Sequence, residues 1–235
     1  MSTVRPVALV TAAGRGIGAA CARELAVAGY GLALMSPSER AELLAGELDG
    51  IGMRGDITSL EDLETLVKMT LRRWGRIDAV VINTGHPPKG DLLALTEEDW
   101  RAGVDLLLLS VIRMARLVTP VMEGQGSGAI VNISALAGKE PDLRFPVSSV
   151  LRAGLGAFTK LYADRYARSG IRMNTVLPGF VENYDVDEAT RATIPLGRPA
   201  TLQEVAASVR FLLSADAGAI TGQQIRVDGG MGRGV

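Results

Sequence analysis

The sequence predicts an α/β fold, a doubly wound parallel sheet of about seven strands with helices on both faces. Three observations carry this expectation. Short apolar runs alternate with long amphipathic stretches, and that alternation implies parallel strands joined by right-handed crossovers. A glycine-rich turn, Thr11-Ala12-Ala13-Gly14-Arg15-Gly16-Ile17-Gly18, joins the first apolar run to the first helix-like stretch. No internal repeat, low-complexity tract or linker interrupts the 235 residues, so residues 1–235 are taken as a single domain.

Composition removes several function classes. The formal net charge is -1, and arginine is scattered rather than clustered. That gives no electrostatic footing for a nucleic-acid partner or an anionic membrane. Cys21 is the one cysteine and His86 the one histidine, so neither an internal disulfide nor a Cys/His zinc centre is expected. The stretch Met1 to Pro6 lacks a long apolar segment, and runs such as Leu106 to Leu109 are far too short to span a bilayer. The expectation is a cytoplasmic protein in a reducing compartment.

The elements follow in order. Val7 to Val10 is apolar throughout, as a strand buried on both faces requires. The glycine turn comes next, then a helix over Ala19 to Ala28 that Gly29 stops. Glycines between a strand and a helix leave backbone N–H groups free to hold a pyrophosphate at the helix start. Thr11, Gly14, Arg15, Gly16, Ile17 and Gly18 are therefore candidate cofactor contacts. A second strand, Gly31 to Met35, ends in Ser36-Pro37-Ser38-Glu39-Arg40. No Asp stands there to bond a ribose. Ser36, Arg15 and Arg40 suit a 2′-phosphate, or the two arginines are simply solvated. The cofactor is expected to be NADP or NAD, with a lean to NADP.

A helix over Ser38 to Leu48 leads to a third strand, Gly52 to Ile57. Asp56 and Ile57 at its end are candidates for the adenine, although Asp56 would equally serve as a cap for the helix over Leu60 to Trp74. Ile77 to Ile82 is a fourth strand, with Asn83, Gly85 and His86 in its exit loop. A long helix over Glu97 to Met122 should bury Trp100, Val104, Leu107, Leu108, Val111, Met114, Ala115 and Val118 on one side. Ala129 to Ser134 and Arg172 to Leu177 are the fifth and sixth strands, with a helix over Ser148 to Ser169 between them. Pro178-Gly179 ends the sixth. Phe180 to Ile194 has no readable pattern and suits a lid. A helix over Leu202 to Leu213 and a strand over Gln223 to Val227 complete the chain.

These residues resemble the short-chain dehydrogenases/reductases, and 3-oxoacyl reductases in particular. Thr11 to Gly18 is similar to that family's T-G-x-x-x-G-x-G loop, with Ala12 in place of the first glycine. Asn83-Thr84-Gly85 matches the later positions of N-N-A-G, with Ile82 at its first. Gly170 to Gly179, and Thr221-Gly222-Gln223 with Val227 to Gly230, match its two C-terminal strands. The resemblance implies a Rossmann domain that binds NAD(P), acts on a small carbonyl or hydroxyl compound, and forms a homodimer or homotetramer through its two long helices. The family's Asn-Ser-Tyr-Lys set falls on Leu107, on Ala135 with Ser134 one residue early, on Ser148 and on Arg152. No tyrosine is followed four residues later by lysine: the residues four on from Tyr30, Tyr162, Tyr166 and Tyr184 are Leu34, Tyr166, Gly170 and Glu188.

A serine hydroxyl is a much weaker acid than a phenol, and loss of a general acid typically costs about 10²–10⁴ in rate. Arg152 keeps a positive charge for the ribose but cannot shuttle protons. The remaining catalytic candidates are Ser134 and His86, the latter because it titrates near neutrality. Two main readings follow: an NAD(P)-dependent oxidoreductase with a non-standard site, or a non-catalytic relative that binds a nucleotide or a protein partner; a third is an enzyme of another class on the same scaffold, such as a lyase or isomerase. Ser148 is either a ligand contact or a helix N-cap, and Ser134 faces either the substrate or the core.

Overall fold

A computed structural model describes residues 5–234. Seven strands form one parallel sheet: β1 (Val7–Thr11), β2 (Gly31–Ser36), β3 (Ile51–Arg54), β4 (Ala79–Ile82), β5 (Gly128–Ile133), β6 (Ile171–Pro178) and β7 (Gln224–Val227). Their order across the sheet is β3-β2-β1-β4-β5-β6-β7. Chain progression reverses between β1 and β4, which opens a crevice at the carboxyl ends of those strands.

Strand alternation builds two cores. Ala8, Val10, Leu32 and Leu34 point to one face. There they meet Cys21, Ala22 and Leu25 of α1 (Gly16–Val27), Leu44 of α2 (Arg40–Glu47), and Val205, Val209 and Leu212 of a C-terminal helix over Leu202–Leu213. Leu9, Ala33, Met35, Val80 and Ile82 point to the other face. They pack on Leu63, Leu66 and Val67 of α3 (Leu60–Trp74), and on two long helices beyond it. Since side chains alternate along a strand, apolar runs of this kind are what a sheet covered on both sides demands.

The long helix expected from Glu97 is not uniform. It comprises α4 (Glu97–Val104), a π turn over Asp105–Leu109, and α5 (Ser110–Gln125). Extra residues in a π turn shift the phase of the apolar stripe. Leu107, Val111, Met114, Ala115 and Val118 are buried as expected, whereas Trp100, Val104 and Leu108 stay half-exposed. In α3, Leu63, Leu66 and Val67 are buried while Leu60 lies in the exposed first turn. Ser59, not Asp56, caps α3, accepting from the Asp62 amide at 3.2 Å.

The second long helix, α6 (Pro146–Tyr166), starts two residues earlier than expected, with Pro146 in its first turn and Phe145 at the cap position. Ser148 is thus inside the first turn and is not the cap. Phe180 to Ile194 contains a short helix, α7 (Glu188–Ala192), and the last helix is α8 (Leu202–Leu213). No described helix is long and apolar enough to cross a membrane.

The motif Arg172-Met173-Asn174 has a mechanical reason. The Arg172 guanidinium donates to the carbonyls of Leu212, Ser214 and Ile220. Asn174 donates to the Ile220 carbonyl at 2.8 Å and accepts from the Gln223 amide at 3.0 Å. These bonds tie the end of α8 and the approach to β7 onto β6. They hold Pro178 and Gly179 in register beside Asp228.

Candidate active site

The glycine loop follows β1 directly. Gly18 admits no side chain: a Cβ there would stand 2.3 Å from the Ala12 carbonyl oxygen and 2.8 Å from Asn83 Nδ2. This contact lets α1 approach β1 closely. Asn83 completes the joint, its amide donating to Thr11 Oγ1 at 3.0 Å and its side chain to the Ala12 carbonyl at 3.3 Å. Thr11 Oγ1 returns a bond to the Asn83 carbonyl at 2.8 Å. Ala12, which stands where the family pattern has glycine, sits at φ 47°. That left-handed conformation costs a residue with a Cβ about 1–2 kcal/mol.

The loops after β1 and β2 meet. Gly14 packs against Ser36 and Arg40 so tightly that a Cβ on it would lie 2.8 Å from Ser36 Oγ. Ser36 Oγ donates to the Ser38 carbonyl at 2.8 Å. Arg15 and Arg40 make no ion pair among the described residues, in contrast to Arg54, which pairs with Glu39 and Glu42. No side chain caps α1, and its first turn holds no acid, so the positive end of the helix faces the crevice unneutralised. Ile57 is buried, and Asp56 is exposed beyond it with its carboxylate accepting from the Thr58 amide and hydroxyl, each at 2.8 Å. Gly85 borders open space in the exit loop of β4.

Beside the glycine loop lies a cavity of about 330 Å³ whose wall includes Ile17, Pro178 and Gly179. Ser134, Ser148, Arg152 and His86 all face it. The four catalytic candidates, far apart in sequence, are thus brought together. Ser134 is 5% exposed and its hydroxyl has no partner. Ser148 is similarly buried, one helical turn before Arg152 on α6.

Arg152 is the unusual member. It is 7% exposed, its Nη1 donates to the Ile133 carbonyl at 2.8 Å, and its Nε has no partner. No carboxylate pairs with it among the described residues. Burial pulls the guanidinium down to about 10, while the nearby Tyr184 favours the charge. Gly138 makes this position possible, because a Cβ there would press 2.9 Å from Arg152 Cβ.

Tyr184 is the residue the sequence did not single out. It falls in the unpatterned segment after β6 and lacks the spacing to lysine that marks the family's tyrosine. Yet it lines the same cavity, and its hydroxyl lies 2.7 Å from His86 Nε2 and 2.8 Å from Nδ1. The two rings meet edge to face with centroids 5.3 Å apart. Burial raises the Tyr184 phenol above its ordinary 10, against the pull of Arg152. Burial, and then the charges of Lys89, Arg152 and Arg15, lower His86 below 6.5. Lys89 also stands 5.9 Å from the centre of the Tyr184 ring and 5.1 Å from that of Phe145. At the mouth Arg144 binds Asp142 at 2.6 Å and covers Phe145 and Phe180.

A sheet that reverses at β1 and β4, with a glycine turn feeding an uncapped helix at that point, defines a dinucleotide-binding α/β protein of the Rossmann type. Comparison with known proteins narrows the class. The family described as "Enoyl-(Acyl carrier protein) reductase" matches residues 11–232. The chain is 37% identical to a 3-oxoacyl-[acyl-carrier-protein] reductase of Synechocystis sp., over 96% of each chain. Among solved structures, a variant of actinorhodin polyketide ketoreductase with NADPH superposes with TM-score 0.93 at 31% identity, covering all of both chains. YwfH, an NADPH-dependent reductase involved in bacilysin biosynthesis, also gives 0.93, at 25% identity, over 98% of this chain and 100% of that one. This chain belongs to the short-chain dehydrogenase/reductase family.

Proposed function

We propose that the protein is an NAD(P)-dependent reductase of a small carbonyl compound, of the 3-oxoacyl thioester class, with Ser148 and Arg152 standing where the family carries its Tyr and Lys. The observation that carries the reading is the pair of orphaned buried groups, Ser134 Oγ and Arg152 Nε, in the wall of one cavity beside the glycine loop. Unpartnered buried polar groups are costly to maintain, and a bound ligand is what relieves the cost. Carrier-linked and polyketide-linked reductases among the relatives support the substrate class. They favour an enzyme over a non-catalytic binder.

The residues present fit a dinucleotide. The uncapped start of α1 suits a pyrophosphate, and the loop is too close-packed at Gly14 and Gly18 to hold side chains instead. Ser36, Arg15 and Arg40 suit a 2′-phosphate, which favours NADP. Thr11, Gly16, Ile17, Asn83, Gly85, Pro178 and Gly179 would border the rest of the cofactor, with Asp56 and Ile57 at the adenine. Bound there in its reduced form, the cofactor supplies hydride. Arg152 would bond ribose hydroxyls, and Ser134 with Ser148 would orient the substrate oxygen. The exposed side chains Val150 and Leu161 on α6 suit a homo-oligomer built on the long helices.

Calorimetric titration with NADPH and NADH, followed by loss of dihydronicotinamide absorbance with a panel of 3-oxoacyl thioesters and simple ketones, tests the reading. Tighter binding of NADPH and turnover of the thioesters are expected. Binding without turnover of any carbonyl would overturn the enzyme reading, and binding of neither dinucleotide would overturn both parts.

A further inference from the structure

We propose that Tyr184 and His86 form the proton-donating pair of this site, the Tyr184 hydroxyl protonating the substrate oxygen and His86 linking that hydroxyl to solvent. The proposal rests on the reductase reading above and supplies what that reading lacks, an acid. Three observations place the pair. Both side chains line the cavity that holds Ser134, Ser148 and Arg152. Their polar atoms are within hydrogen-bond reach of each other. Tyr184 is half-buried while His86 is exposed, so a proton can pass from water through the imidazole to the phenol.

The chemistry favours Tyr184 over the other hydroxyls. A phenol is far more acidic than the alcohols of Ser134 and Ser148. Burial raises the Tyr184 phenol, and Arg152, on the neighbouring helix, offsets part of that rise by favouring the phenolate. A reduced dinucleotide, when bound, would supply hydride to the carbonyl carbon, which moves the C=O π pair onto oxygen. That oxygen takes the Tyr184 proton, and the O–H bond breaks to leave phenolate. Imidazolium at His86 returns a proton to the phenolate, and water restores the imidazolium. Ketone, reduced dinucleotide and one solvent proton become alcohol and oxidised dinucleotide. The charged groups around the pair are Lys89, Arg152 and Arg15, with Arg144 and its partner Asp142 at the mouth and Glu140 across the cavity. Burial of part of the ring, and then the cations, disfavour imidazolium, so resupply should slow as pH rises through a value below 6.5.

The test combines kinetics with a readout on the ligand-free chain. With S-acetoacetyl-N-acetylcysteamine and NADPH, Tyr184→Phe should lose about 10²–10⁴ in kcat with KM for the thioester within threefold and NADPH affinity unchanged. His86→Gln should lose about tenfold and flatten the pH profile. His86 is the only histidine, so its imidazole proton resonances report its titration without assignment. Lys89→Gln removes one cation, and it should raise that titration in the ligand-free protein and move the limb of the kcat profile by the same amount. Tyr184→Phe retaining kcat within threefold would overturn the proposal and leave the reductase reading intact. A Lys89→Gln shift seen in the resonance but not in the kcat profile would exclude His86 from the relay. Absence of turnover in the unaltered chain would overturn the underlying reading, and the proposal with it.

Discussion

Replacing Arg152 by methionine should make the protein more stable and a poorer dinucleotide binder. Methionine fills most of the same space without the charge. In the folded chain the guanidinium is lowered well below its ordinary value, to about 10, chiefly by burial. That difference corresponds to roughly 3 kcal/mol held against the charged form. Because the folded value lies below the unfolded one, the penalty is fully present at neutral pH and fades only as pH rises above about 10. The substitution removes it. It also deprives the Ile133 carbonyl of its donor, which returns about 1–2 kcal/mol. A net gain of about 1–2 kcal/mol remains, or about 2–8 °C in Tm for a chain of this length. Dinucleotide affinity should fall at least tenfold, about 1.4 kcal/mol. Urea unfolding at pH 7 and calorimetric titration with NADPH measure the two quantities. Destabilisation beyond about 1 kcal/mol with NADPH affinity unchanged would refute the reasoning, since Arg152 would then be a structural cation rather than one held ready for a ligand.

Three further outcomes follow from the packing. Gly18→Ala places a Cβ against the Ala12 carbonyl and Asn83; chemical denaturation should show a loss of about 1–3 kcal/mol, with NADPH binding weakened in calorimetry. Ala12→Gly relieves the left-handed backbone at φ 47°, and after the added freedom of the unfolded chain it should raise the urea midpoint by the equivalent of ~0.5–1 kcal/mol. Cys21 is 1% exposed and burial pushes its thiol up to about 12, so a thiol-specific disulfide reagent should leave it unmodified in the native protein and react with it in denaturant.

Much of the fold was legible because its signals are local. The strand β1 is apolar from Val7 to Val10 and buried throughout, and the helix over Leu202–Leu213 carries Thr201 and Glu204 as a capping box at its start. The glycine turn between β1 and α1 identifies itself by position. The π turn at Asp105–Leu109 was not legible, since its consequence is a phase shift that only the packed neighbours reveal. Nor was the start of α6: Ser148 resembles a cap in sequence, while Pro146 begins the helix ahead of it.

The candidate site divides the same way. By itself the sequence determined that a glycine-rich turn follows β1, that no Asp stands at the end of β2, and that no tyrosine sits four residues before a lysine. Each is a statement about neighbouring residues, which the chain order fixes before folding. Tertiary structure decided the rest. It drew Ser134, Ser148, Arg152 and His86 to one cavity, left Arg152 buried without a carboxylate, and set Tyr184 against His86. Residues 86 and 184 meet only because parallel strands bring the exits of β4 and β6 to one edge of the sheet. A proton donor defined by such a meeting has no fixed spacing in sequence, and so it leaves no motif to find.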